Sequence, residues 1–272
     1  MFEKTAYLLV YHGSRDPRPQ QEVLRVAQEV REKLAAKQAS LSPVSSQQPE
    51  TTAVLTKPPE PSVYTAALEL APLSLEDAIA QILTEMKEQG MTHLRVLPLF
   101  LLPGVHVRED IPAALAQAQE KAGEGVCLEL ASYVGQSPLM AQKLQEKLGE
   151  IVQDPGNPVQ PSPSSAKIIV SHGSRRQGGN QPIEALARQL GAAAAYWSVS
   201  PTLSEQLEAL VEQGTRQISM IPYFLFPGGL TDAIAEQVAD WQRQFPHVEF
   251  HLGTPLSRSF SLTDLIINEL VV

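Results

Sequence analysis

The sequence predicts an α/β protein built from two tandem (βα)4 domains with parallel sheets. Three observations carry this. First, an apolar run, Ala6–Tyr11, leads into His12-Gly13-Ser14-Arg15, and a second, Lys167–Ser171, leads into His172-Gly173-Ser174-Arg175. Second, Leu97-Pro98-Leu99-Phe100-Leu101-Leu102-Pro103-Gly104-Val105-His106 is echoed by Ile221-Pro222-Tyr223-Phe224-Leu225-Phe226-Pro227-Gly228-Gly229-Leu230, with the prolines in register. Third, both halves alternate short apolar runs with longer helical patterns. A chain of 272 residues divides naturally into two domains of ordinary size.

In the first half, strands are expected at about 5–11, 63–70, 93–102 and 126–134, alternating with helices at about 19–37, 73–90, 108–121 and 138–152. In the second, strands fall near 167–171, 193–199, 216–226 and 247–253, and helices near 180–191, 203–213, 230–244 and 259–270. Strands separated by helices pair in parallel through crossovers, so each half should form a flavodoxin-like, three-layer sheet domain, the two being pseudo-twofold related. Ligands of such sheets bind at the carboxyl ends of the strands. Residues 38–62, rich in Ser, Gln, Thr and Pro, lack a counterpart in the second copy and read as a loop insertion. The proline-rich residues 153–166 read as a linker between an N-terminal domain, 1–152, and a C-terminal domain, 167–272.

Composition narrows the function. A formal net charge of −9 argues against nucleic acid as the main partner, because a phosphate-binding surface needs clustered Lys and Arg. A single cysteine, Cys127, excludes an intramolecular disulfide framework and any multi-cysteine metal site, and is expected to be buried and inert. With neither a signal segment nor an 18-residue apolar run, no membrane association is expected and a cytoplasmic location is. The sequence contains no Gly-x-Ser-x-Gly elbow, Gly-x-Gly-x-x-Gly or Gly-x-x-x-x-Gly-Lys-Ser/Thr, which removes the usual serine-hydrolase and nucleotide-binding readings.

The candidate chemistry lies at the strand ends. His12 follows the first strand, where Gly13 permits a turn that a side chain would hinder, and His106 follows the third strand after Pro103-Gly104. Two histidines on one ligand face can hold a divalent ion or take up protons. Glu69, in Leu68-Glu69-Leu70-Ala71-Pro72, is a third candidate, since a carboxylate in an apolar strand needs a cation or an imidazole as partner. Aligned through the prolines, the second copy has Ser198 at the position of Glu69 and Leu230 at that of His106, so one working site is expected, in the first half. His93, His247 and His251 have no comparable setting.

His-Gly-Ser-Arg after the first strand, Glu-Leu-Ala-x-Pro after the second and Leu-Pro-x-Phe-Leu-x-x-Gly-x-His after the third together resemble the sirohydrochlorin chelatases, the class II tetrapyrrole chelatases. The resemblance covers nearly the whole chain apart from 38–62. It implies a chelatase-like fold and a lyase-type enzyme that inserts Co²⁺ or Fe²⁺ into sirohydrochlorin for cobalamin or sirohaem, with the metal as substrate and no cofactor required. It also implies that His12, Glu69 and His106 act as metal ligands and proton acceptors, and that the chain is a pseudo-dimer able to work as a monomer. Sirohydrochlorin is a polycarboxylate, so Arg15, Arg108 and Arg175 are expected to meet its acid side chains, with Ser14, Gly104 and His172 completing the substrate-binding set. Arg18 and Arg176 lie near the same motifs. The competing reading is a non-catalytic metal or tetrapyrrole carrier on the same fold.

Overall fold

The computed structural model describes residues 4–41, 61–122, 125–152 and 164–270. The first repeat runs β1 (Thr5–Tyr11), α1 (Pro17–Leu41), β2 (Val63–Ala67), α2 (Leu75–Glu88), β3 (His93–Pro98), α3 (Ile111–Ala122), β4 (Cys127–Leu130) and α4 (Leu139–Val152). The second runs β5 (Ser165–Ser171), α5 (Gln181–Gln189), β6 (Ala193–Tyr196), α6 (Leu203–Glu212), β7 (Gln217–Pro222), α7 (Gly229–Gln244), β8 (Glu249–Leu252), a single turn α8 (Leu256–Ser259) and α9 (Leu262–Leu270). Each repeat forms a four-stranded parallel sheet, in the orders β2-β1-β3-β4 and β6-β5-β7-β8. The duplicated (βα)4 pattern is thus realised twice with one topology. No helix among the described residues is long and apolar enough to cross a membrane.

Side-chain period explains the layers. Ala6, Leu8 and Val10 of β1 share one core with Ile79, Leu83 and Met86 of α2 and Ile111, Ala114 and Leu115 of α3. On α1, Val23, Val26, Ala27, Val30 and Leu34 form one buried stripe. Fully burying each valine or leucine stabilises by about 1.5–3 kcal/mol. The exposed Arg25 ion pairs with Glu22 and Glu29 add far less, so the stripe rather than the charges anchors the helix. Caps set where helices start: the Ser74 hydroxyl accepts from the Asp77 N–H ahead of α2, and Thr202 and Glu205 form a reciprocal capping box on α6.

The compact units do not follow the repeats. One comprises residues 1–15, 20–134 and 263–272, and the other residues 16–19 and 135–262. The first unit therefore takes its last helix from the end of the chain: in α9 the Thr263 hydroxyl donates to Glu29 of α1 at 2.7 Å, Asp264 pairs with Lys33, and Arg95 of β3 donates to the Leu270 carbonyl at 2.8 Å. In the second unit α4 packs on β7 and β8, and its Ile151 lies so near Gly253 that a Cβ there would stand 2.9 Å from Cδ1.

Several elements differ from their expected bounds. Strands β2, β3, β6 and β7 stop earlier than the apolar runs suggest, at the level where β1 and β5 end at Tyr11 and Ser171, with only one or two further backbone bonds beyond the last pairs. Helix α1 runs on to Leu41, into the predicted insertion, and β5 begins inside the predicted linker; residues 42–60 and 153–163 of those two segments lie outside the described residues. The helix expected at 259–270 is two, α8 and α9. Cys127 is exposed rather than buried, since it opens β4, which borders the sheet.

The sharpest local constraint is at Gly13, whose φ is +97° and where a Cβ would stand 1.9 Å from the backbone oxygen of Glu69. Gly90 has a φ of +70° but open space around its missing Cβ. Gly13→Ala should therefore cost more than Gly90→Ala, at least about 1–3 kcal/mol against about 1 kcal/mol in urea denaturation; equal costs would mean that the close approach is not what demands glycine. Ending the chain before α9 should speed amide exchange in α1 and β3 and leave β7 and β8 protected, and the opposite pattern would contradict the assignment of α9 to the first unit.

Candidate metal centre

The centre is assembled by the ends of β1, β2 and β3. Beyond the last β1–β2 pair the ladder continues for two more bonds: Leu68 N–H donates to the Tyr11 carbonyl at 2.8 Å and Glu69 N–H to the His12 carbonyl at 2.9 Å. Glu69 and His12 are thereby tied backbone to backbone. Leu70 then turns the chain with a φ of +55°, a left-handed conformation unusual for leucine, and its side chain is 61% exposed. On the other side of β1, Leu99 N–H donates to the Val10 carbonyl at 2.7 Å, which fixes the exit of β3. The chain then rises through Pro103-Gly104 into a π turn, His106–Asp110, before α3.

These bonds bring three side chains together. One ligand atom each from His12, Glu69 and His106 lie within 4.8 Å of one another. Ligands about 2.0–2.2 Å from a divalent ion are separated by roughly 3–4 Å, so small side-chain rotations would close the three onto one ion. The imidazoles meet edge to face at a centroid distance of 5.0 Å, and Phe100 stands 6.4 Å from His12 and 5.9 Å from His106, an apolar wall beside the ligands. His12 and Glu69 are exposed and His106 is half-buried, so the donors are open to solution. Asp110 Oδ2 lies 2.7 Å from His106 Nδ1.

The second unit shows the same scaffold without the donors. Trp197 N–H donates to the Ser171 carbonyl at 2.9 Å and Ser198 N–H to the His172 carbonyl at 3.0 Å, the same bonds as at Leu68 and Glu69. Ser198 therefore occupies the structural position of Glu69, and its hydroxyl donates back to the His172 carbonyl at 2.8 Å. Arg108 N–H bonds the Gly104 carbonyl and Asp232 N–H the Gly228 carbonyl, both at 3.1 Å, which sets Leu230 in register with His106. Leu230 packs against the apolar core of its own unit. Among the described residues, no group of three potential ligands includes His172.

The other predicted site residues sort by unit. Ser14, Arg15, Gly104 and Arg108 are exposed in the loops and turn that carry His12 and His106. Arg108 acts on Tyr133, whose phenol burial pushes up while the guanidinium opposes the shift. His172 and Arg175 are exposed at the equivalent strand end of the second unit. Arg18 donates to Asp16 and Asp232 within that unit, at 2.6 and 2.7 Å, and holds both carboxyls below their usual range, chiefly by these hydrogen bonds. Sequence reasoning missed Asp110. Its signal was present: a carboxylate four residues after a candidate ligand, at the entry to a helix, where positions i and i+4 are neighbours.

Comparison with known proteins places this geometry. The CbiX family model matches residues 6–151 and again 166–271. A sirohydrochlorin cobaltochelatase of Priestia megaterium is 26% identical over 175 residues, covering 61% of this chain and 55% of that protein. A sirohydrochlorin ferrochelatase of the same organism is 26% identical over 179 residues, covering 63% of each. The chain thus spans between about half and two-thirds of the length of these curated relatives. A solved structure of SirB from Bacillus subtilis with Fe3+ shares the fold at a TM-score of 0.70 and 20% identity, over 98% of this chain and 94% of that one. With both repeats matched by one family model, the chain belongs to the CbiX family.

Proposed function

We propose that the protein is a sirohydrochlorin chelatase that inserts Co²⁺ or Fe²⁺ into the macrocycle, with His12, Glu69 and His106 as the residues that hold the metal and accept protons. The observation that carries the reading is the convergence of these three donors within 4.8 Å in the first unit, with no second such group among the described residues. Names borne by relatives in the same family support the substrate. The chemistry suits the residues. Insertion exchanges one divalent cation for two pyrrole N–H protons, and no electrons change hands, so the stoichiometry calls for no redox cofactor. Imidazole and carboxylate bind cobalt and iron without the tight grip of thiolates. A neutral imidazole that releases the metal can take a proton in its place, and a neighbouring carboxylate stabilises the imidazolium formed. Arg15 and Arg108 would meet acid side chains of the substrate as bidentate partners.

The test is anaerobic incubation with sirohydrochlorin and each metal, followed by absorbance. Acceleration over the protein-free rate is expected; tight binding without acceleration would identify a carrier instead. His12→Ala and His106→Ala should each lower the insertion rate by about 100-fold or more, and His172→Ala by no more than a few-fold. Equal losses from all three would require a site shared with the second repeat. Glu69→Gln keeps the size of the side chain and one accepting oxygen but removes its charge, and should weaken Co²⁺ binding measured in the absence of sirohydrochlorin as well as slow insertion. An unchanged metal affinity in that variant would remove the carboxylate from the ligand set.

A further inference from the structure

We propose that Asp110 is the positioning residue of the metal centre: it fixes His106 with the proton on Nδ1, which leaves Nε2 as the lone pair that binds the ion. The proposal rests on the metal-ligand role given to His106 above. An ionised carboxylate can only accept, so a 2.7 Å contact between Asp110 Oδ2 and Nδ1 makes Nδ1 the donor. In the neutral ring the other nitrogen then carries no hydrogen and offers its lone pair to a metal. A carboxylate behind a ligating imidazole also fixes the ring plane and raises the basicity of the coordinating nitrogen. Asp110 is not among the three donors that lie within 4.8 Å of one another, and its carboxylate contacts the one nitrogen, Nδ1, of His106.

The two repeats supply an independent comparison. The first repeat has one residue more here: Leu230 stands against His106, but past the π turn the buried Ile234 and Val238 of α7 match the buried Ile111 and Leu115 of α3. Ile234 is fully buried in the core of its unit, and α7 is a regular α-helix from Gly229. In the first repeat the same stretch is a π turn that opens on His106 and closes with the Ile111 N–H donating to the His106 carbonyl. Single π turns inside helices cluster at functional sites because they add a residue to the turn and re-aim its side chains. The histidine, its carboxylate partner and the extra residue of the π turn therefore occur together in one repeat, where the other has a leucine and a plain helix. A surface ion pair kept for stability alone would contribute little at this exposure, the side chains being 29% and 47% exposed, and would not account for the joint loss.

The test is long-range ¹H–¹⁵N NMR of the histidine rings in the full chain without metal at neutral pH, with Co²⁺ affinity measured in parallel. In the unaltered protein the His106 ring should be protonated on Nδ1. In Asp110→Ala it should shift towards the Nε2–H form that free imidazole side chains favour, with Co²⁺ binding weakened about 10–100-fold. Asp110→Asn retains an oxygen that can accept from Nδ1–H, and should keep the tautomer and most of the affinity. An unchanged tautomer in Asp110→Ala would overturn the proposal. So would equal loss of affinity in both variants with the tautomer intact, which would make Asp110 a ligand or proton acceptor in its own right. His106→Ala separates the two readings, because unaltered Co²⁺ binding in that variant would sink the metal site itself, whereas the ring spectra of the Asp110 variants report the positioning role independently.

Discussion

The centre depends on one close approach, between the backbone of residue 13 and the carbonyl of residue 69. Two parallel strands that end together leave their last carbonyls and amides facing outward, and here the pairing is carried past the strand ends so that His12 and Glu69 stay bonded through the main chain. Drawing Glu69 that near leaves no room for a side chain at Gly13. His12 and Glu69 inherit their separation from the sheet, whose strand spacing of about 4.8 Å is fixed by hydrogen bonding. A site built this way is preorganised before any ion arrives.

The same scaffold without chemistry is visible in the second repeat, and it shows which features belong to the fold and which to the site. Gly173 has a φ of +84° and the strand-end bonds of His172 and Ser198 are retained, so the tight turn is a property of the fold. Glutamate, the second histidine and the carboxylate behind it are properties of the site. Where the glutamate and the second histidine are absent, the positions revert to what the surroundings prefer: Ser198 satisfies a nearby carbonyl, and Leu230 joins the apolar core.

Much of this was legible in the sequence. Alternating apolar runs and a repeated motif specified two parallel sheets, since both signals follow from side-chain period and need no tertiary information. Prolines in equivalent positions gave the register in which Glu69 matches Ser198 and His106 matches Leu230, and the backbone bonds agree with it. Strand ends were less legible, because a strand stops where its neighbour stops, as β2 does at Ala67 opposite Tyr11. Cys127 was misread as buried because exposure depends on a strand's place in the sheet. Asp110 was hidden among charged residues at a helix start, where a carboxylate usually serves the helix dipole. Least legible was the partnership of α4 and α9, since an apolar stripe shows that a helix needs a sheet but not which sheet.

That partnership has a consequence for synthesis. The ribosome releases β1 to β4 early, yet α9, a helix of their unit, emerges only after β5 to β8 have been made. Until then the nascent sheet carries an uncovered apolar surface, and the pairing of Arg95 with the Leu270 carbonyl has to wait. The unit that carries His12, Glu69 and His106 is therefore started before the second repeat and completed only after it, so a ribosome that stalls late leaves that unit incomplete.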